Sequence, residues 1–119
     1  MALEIHPAIR FIFCGDRKRI EPALQAHPRL AAASAVEHTE TFISMDDKPS
    51  QAVRRGKGTS MWHALDRVKA GAAHAAVSAG NTGALMAMSK LVLRPMADIE
   101  RPAIAAFWPT IKRECIVLD

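Results

Sequence analysis

The residues best placed to do chemistry in this sequence are Ser78-Ala79-Gly80-Asn81-Thr82-Gly83-Ala84. They read as a turn from a small apolar strand into a helix, with two glycines separated by Asn-Thr. The first N–H groups of a helix have no acceptor within it, and together with the helix dipole they favour an anion such as phosphate. Gly80 and Gly83 allow close approach of backbone to a ligand, and Ser78, Asn81 and Thr82 can add side-chain hydrogen bonds. In open parallel sheets such turns lie beyond the carboxyl ends of the strands, where ligands bind. The plainer reading is a structural turn with Thr82 as a helix cap. The run is neither a P-loop, which needs Gly-Lys-Ser/Thr, nor the dinucleotide Gly-x-Gly-x-x-Gly.

Lys48, Arg54, Arg55 and Lys57 form the one real basic cluster of a chain with net charge +4. They can attract a phosphate or an acidic partner, or serve as solvated charges on a helix surface. This charge is below the density of a dedicated nucleic-acid binder, and no aromatic–basic interleaving or base-reading motif is present. The five His residues have no ligand-like spacing, and His6 and His27 simply precede Pro, so no metal site is expected. Cys14 and Cys115 each sit in an apolar run and are expected to be buried, reduced core thiols rather than a disulfide.

The elements that must position these residues follow from hydrophobic period and punctuation. The 119 residues suit one domain, and half of them are hydrophobic, with Ala and Val prominent and no Tyr. Met1–His6 reads as the last turn of a helix stopped at Pro7, and Ile9–Cys14 as a buried strand closed by Gly15-Asp16. Arg17–Ala26 has Ile20, Ala23 and Leu24 on one helical face and is stopped at His27-Pro28. A weaker strand covers Ala35–His38, and Phe42–Met45 forms a short extended piece before the loop Asp46-Asp47-Lys48-Pro49. Pro49 suits the first turn of a helix reaching Arg55, after which Gly56 and Gly58 break the chain. Thr59 or Ser60 can cap the next helix, Met61–Ala70, with the stripe Met61, Ala64, Leu65 and Val68, ended by Gly71.

Ala75–Ser78 is expected as a third strand and Thr82–Leu93 as a helix closed by Arg94-Pro95. Strands over Ala103–Phe107 and Cys115–Leu118 complete the set. Strands alternating with helices point to an α/β fold with a mostly parallel sheet covered on both faces, three layers in all. No signal-peptide core and no apolar run of membrane-spanning length is visible, which makes the cytoplasm the expected location. The chain opens within a helix and stops straight after an apolar strand, so a piece of a longer protein is expected.

The motifs also occur in a specific order. Phe11-Ile12-Phe13-Cys14-Gly15-Asp16, then Met45-Asp46-Asp47-Lys48-Pro49-Ser50 running on to Gly58-Thr59-Ser60-Met61, then Ala76-Val77-Ser78-Ala79-Gly80-Asn81-Thr82-Gly83-Ala84-Leu85-Met86-Ala87 closely resemble the bacterial PlsX family. Ile99-Glu100-Arg101-Pro102-Ala103-Ile104-Ala105 and Ile116-Val117-Leu118-Asp119 fit the same family in the same order. The resemblance implies an acyl-[acyl carrier protein]:phosphate acyltransferase that makes acyl phosphate for phospholipid synthesis. It implies a fold similar to phosphotransacetylases and isocitrate- or isopropylmalate-type dehydrogenases. It also implies a homodimer, peripheral at the inner face of the cell membrane, with acyl carrier protein and inorganic phosphate as partners and no cofactor.

On this resemblance residues 1–119 are part of a single PlsX-type domain, truncated at both ends. The family's N-terminal strand with Gly-Gly-Asp is missing, and Gly is more usual in the family at Asp98-Ile99-Glu100 and Lys112-Arg113-Glu114-Cys115. Ser78, Asn81 and Thr82, with the backbone of Gly80 and Gly83, are the expected phosphate or oxyanion donors. Lys57, Thr59 and Ser60 are second candidates. Arg54 and Arg55 are candidates for phosphate attraction or for docking the acidic carrier protein. Asp46 and Asp47 can act as acid–base groups or as loop residues, and Met61, Leu65, Met86 and Met88 can border an acyl chain or pack in the core. Two rival functions share these features: a phosphotransacetylase-like enzyme using acetyl-CoA, and a non-catalytic module that binds phosphate or carrier protein.

Overall fold

The structure, a computed structural model, describes residues 2–100, 102–111 and 113–118. Met1, Arg101, Lys112 and Asp119, which belong to segments read above, lie outside the described residues. After the short helix α1 (Ala2–Ile5) comes strand β1 (Phe11–Gly15), then α2 (Arg17–Gln25) and α3 (Pro28–Ala32), then strand β2 (Ser34–His38). β1 and β2 pair in parallel, Phe11 against Ser34 through Gly15 against His38. Parallel neighbours require a crossover connection, and α2 and α3 supply it. Asp16 caps α2, its Oδ1 accepting from Lys18 N–H at 3.0 Å. The His27-Pro28 pair ends α2 as expected, but Pro28 also occupies the first turn of α3, a helix the periodicity does not reveal. Proline lacks only a donor that the first helical turn leaves unpaired in any case.

The second half is built on helices α4 (Pro49–Arg55), α5 (Ser60–Lys69) and α6 (Thr82–Val92). Thr59 is the cap of α5, accepting from Trp62 N–H. Gly71 closes that helix at φ 72°, the left-handed conformation that favours Gly, and its N–H donates to Val68 O at 3.0 Å. The core is the meeting of these helices. Ala52, Met61, Leu65, Ala84, Met88 and Val92 are buried, with Ile43, Val53, Trp62, Ala76 and Leu85 packed against them. Ala84, Met88 and Val92 repeat every four residues, which sets them on one face of α6. Met61, Leu65 and Met88 therefore belong to the core, whereas Met86 is exposed.

Glu37 on β2 ties the first half to the second. Its Oε1 accepts from Arg67 Nη2–H at 2.9 Å and lies 2.6 Å from His63 Nδ1, and its Oε2 forms an ion pair with the Arg67 guanidinium, 2.7 Å from Nε. Both partners sit on α5.

Three expectations need correcting. Ala75–Ser78 joins no ladder among the described residues, and Val77 is 94% exposed. A strand exists only with a hydrogen-bonded neighbour, so an apolar run of strand composition is not sufficient. The last two strands, β3 (Ala105–Pro109) and β4 (Glu114–Leu118), pair with each other antiparallel as a separate hairpin and do not extend the parallel pair. Cys115 on that hairpin is exposed rather than buried. Cys14 is half-buried, and burial, followed by the nearby Glu37 charge, pushes its thiol pKa up. Asp98 adopts φ 66°, a conformation Asp tolerates better than most side chains. Among the described residues no helix is long and apolar enough to cross a membrane.

Candidate functional site

The Ser78–Ala84 turn is held by its own side chains. Ser78 Oγ accepts from Gly80 N–H at 3.2 Å. Asn81 caps α6, its Oδ1 accepting from Ala84 N–H at 3.0 Å and its carbonyl from Leu85 N–H at 2.9 Å. Asn81, not Thr82, is thus the cap residue, and Thr82 is the first residue of the helix. The Thr82 and Gly83 N–H groups meet no acceptor among the described residues, and the Thr82 side chain is exposed. The turn therefore presents two free backbone donors and one hydroxyl at the positive end of an eleven-residue helix. That is anion-binding geometry.

Asn81 has a second task. Its Nδ2 donates to the carbonyls of Ser44, Met45 and Asp47 at 3.2, 3.1 and 2.8 Å, and the residue is only 8% exposed. Two amide protons shared among three carbonyls leave nothing to offer a ligand. In this structure Asn81 positions the 44–47 loop against the start of α6. Asp47 closes the same loop, its Oδ2 accepting from Ser44 N–H at 2.8 Å, while Asp46 is exposed.

Gly83 makes its close approach to protein. A Cβ there would lie 2.9 Å from Pro49 Cγ, so the starts of α4 and α6 touch at this point. Gly80 has ordinary room, its nearest neighbours being Ser78 Oγ at 3.4 Å and Met61 Cε at 3.6 Å. Contact at Pro49 brings Lys48, the residue before α4, beside the turn. Arg54 and Arg55 occupy the opposite end of α4, about 7.5–9 Å farther along its axis at the usual helical rise. Lys48, Arg54, Arg55 and Lys57 are all exposed, and none makes an ion pair with a described residue. The basic cluster of the sequence is thus split, with one cation at the turn and three away from it.

The second candidates divide too. Thr59 is 4% exposed, its hydroxyl donating to Gly56 O at 2.6 Å, which makes it a cap and a tie rather than a free donor. Ser60 donates its N–H to Thr41 O at 2.9 Å and faces a different concavity. This groove of about 560 Å³ lies at the carboxyl end of β1, between α2 and the Thr39–Phe42 segment, and includes Phe13, Ile20, Leu24, Leu30 and Phe42 in its lining. A smaller hollow of about 220 Å³ involves Asp47, Gln51, Arg55 and Thr59. The Ser78–Ala84 turn lines neither, and its Ser78, Ala79 and Thr82 are exposed. Sequence reasoning did not foresee the contact between the 44–47 loop and the turn. Its signal lay in Asp47 followed by Lys48-Pro49, a loop closed by an Asp side chain directly before a helix start. Among the described residues no His, Cys, Asp and Glu groups gather as a metal site.

A turn leading into a helix start with anion-binding geometry, beside a parallel α/β unit, defines an α/β class of protein. The family model described as "Fatty acid synthesis protein" matches residues 1–119, and the chain belongs to that family, the PlsX family its motifs resemble. The phosphate acyltransferase of Parvibaculum lavamentivorans is 59% identical over 115 residues, covering 96% of this chain and 32% of the relative. The phosphate acyltransferases of Brucella anthropi and Brucella ovis are each 60% identical over 119 residues, covering 99% of this chain and 34% of the relative. The chain thus spans about a third of the length of the relatives it matches.

Proposed function

We propose that residues 1–119 form the phosphate-handling wall of a single PlsX-type α/β domain, in an enzyme that converts acyl-[acyl carrier protein] and inorganic phosphate to acyl phosphate. The observation that carries this reading is the pair of free N–H groups at Thr82 and Gly83, with the Thr82 hydroxyl beside them, in a chain 59–60% identical to phosphate acyltransferases. A phosphate oxygen attacks the thioester carbonyl, the new C–O bond forms as the C–S bond breaks, and the carrier thiolate leaves and takes a proton. Thioesters are reactive enough that positioning and electrostatic stabilisation supply most of the acceleration, without a nucleophilic side chain.

On this reading the Thr82 and Gly83 donors hold phosphate or the developing oxyanion, with Ser78 shaping the turn and Lys48 adding charge. Asn81 acts by positioning. Arg54, Arg55 and Lys57, at the other end of α4, suit attraction of the acidic carrier protein. The working enzyme is a cytoplasmic homodimer, peripheral at the inner membrane face.

The test is phosphate-dependent release of free carrier thiol by a whole enzyme: the Brucella anthropi relative with its matched segment replaced by residues 1–119. Release from long-chain acyl carrier protein in preference to acetyl-CoA is expected, with a rise in phosphate KM for Thr82→Val. Preference for acetyl-CoA replaces this reading with a phosphotransacetylase-like one. Tight carrier binding without acyl phosphate replaces it with a non-catalytic module.

A further inference from the structure

The groove at the carboxyl end of β1 is the larger of the two concavities, about 560 Å³, and no step of the proposed reaction uses it. Ligand pockets run to about 300–1,000 Å³, are mostly apolar and favour the carboxyl ends of parallel strands. Both walls are tied to the parallel pair. On one side Arg17, at the start of α2, donates its N–H to His38 Nδ1 at 3.1 Å and its Nη2–H to Val36 O at 3.0 Å. On the other, Thr39 N–H donates to Gly15 O at 3.0 Å, and the Thr39 and Thr41 hydroxyls donate to Gly58 O at 2.7 and 2.8 Å. The gap between α2 and the Thr39–Phe42 segment is thus set by bonds within residues 1–119.

The groove has an apolar floor and a direction. Phe13, Ile20, Leu24 and Leu30 are partly buried in it, while the charged Arg19 and Glu40 are exposed at its rim. Ser60 and Phe42 mark one end. Met61, next to Ser60, reaches Gly80 of the Ser78–Ala84 turn, and Phe42 leads into the 44–47 loop that Asn81 holds. Leu30 marks the other end, since it closely precedes Ser34, the first residue of β2. The groove therefore starts beside the turn and runs along the strands away from it.

We propose that this groove is the subsite for the acyl chain, with the thioester carbonyl at the Phe42–Ser60 end and the methyl end towards Leu24 and Leu30. The proposal rests on the acyltransferase reading above. A thioester attacked at the turn must send its alkyl chain into an adjoining apolar space. The uncharged floor offers a phosphate or a nucleotide nothing, whereas an alkyl chain gains from every methylene withdrawn from water. Leu24 and Leu30, at the far end, then set the chain length accepted.

The Brucella anthropi relative carrying residues 1–119 tests this with octanoyl and palmitoyl carrier protein. Leu24→Trp fills the far end and should lower kcat/KM for the palmitoyl substrate at least ~10-fold more than for the octanoyl one. Leu24→Met, of similar volume, should keep the original chain profile. Thr82→Val should instead raise the phosphate KM with both substrates. In parallel, the 119-residue chain should bind the fluorescent fatty acid cis-parinaric acid. Palmitate should displace it, inorganic phosphate should not, and Leu24→Trp should abolish binding. An equal fall for the two thioesters makes Leu24 a packing residue and overturns the proposal. So does probe binding by the 119-residue chain but not by the chimera, which gives the groove to the rest of the domain. Should the chimera fail to fold, the probe titration of the chain decides, and absence of binding overturns the proposal. Probe binding by both proteins with no acyl phosphate formed overturns the chemistry above and leaves the groove standing as an alkyl-chain site.

Discussion

The helical core and the hairpin contain the same kinds of side chain in opposite circumstances. Met88 and Ala84 on α6 are wholly buried, sealed by α4 and α5. Phe107 and Trp108 on β3 are larger and more apolar, yet stand mostly in water. Apolar content therefore does not decide stability contribution; the presence of a facing layer does, because the transfer from water is what stabilises. The candidate site draws on the first region. Its turn is anchored to the core through Asn81, Gly83 and Pro49, so it can keep its geometry without the hairpin.

This contrast can be broken or sharpened by substitution, with urea unfolding of the 119-residue chain as the common measure. Met88→Ala removes a side chain that no collapse can easily replace and is expected to destabilise by about 3 kcal/mol. A change below about 1 kcal/mol would show the helical core to be loosely packed. Asn81→Leu leaves the Ala84 N–H and three carbonyls without their partner, an expected loss of about 2–3 kcal/mol. Exchange of amides in residues 44–47 should rise with it, separating a positioning role from loss of a ligand contact. Gly83→Ala forces a methyl against Pro49 and should destabilise by about 1–2 kcal/mol while displacing α4 from α6.

On the other side of the comparison, Phe107→Ser should change stability by no more than about 0.5 kcal/mol, since the ring is already in water. The smallest effect concerns the thiols. At pH 8 iodoacetamide should label Cys115 on the open hairpin well before Cys14, whose pKa is raised by burial. Because the folded chain holds the Cys14 proton more tightly than the unfolded one, that stabilisation is complete below the thiol's ordinary value of 9.0 and is lost as pH rises through its folded value. Relative to Cys14→Ser, the unmodified chain should therefore lose stability with increasing alkalinity.

Much of this was legible in the residues, and the legible part is local. Pro49 and the Gly56 break bound α4 as Pro49–Arg55, Thr59 caps α5, Gly71 ends it, and Ser78–Ala84 leads into α6. Each of these features is settled within three or four residues by proline geometry, a capping oxygen or a left-handed φ. The parallel pairing of β1 with β2 was legible as a class, from strands separated by helix, though not its register.

What only the tertiary structure decided is which groups are already engaged. Asn81 reads from sequence as a donor for phosphate, but three carbonyls more than thirty residues away take its amide. Gly83 reads as room for a ligand, but Pro49 fills that space. Ala75–Ser78 reads as a strand, but no described neighbour pairs with it. Caps and helix ends depend on energies the chain settles with itself nearby, so the sequence alone specified the open helix start. Partnership across long separations depends on where other elements come to rest. That placement, rather than residue type, left Thr82 and Gly83 as the free donors and Asn81 as their support.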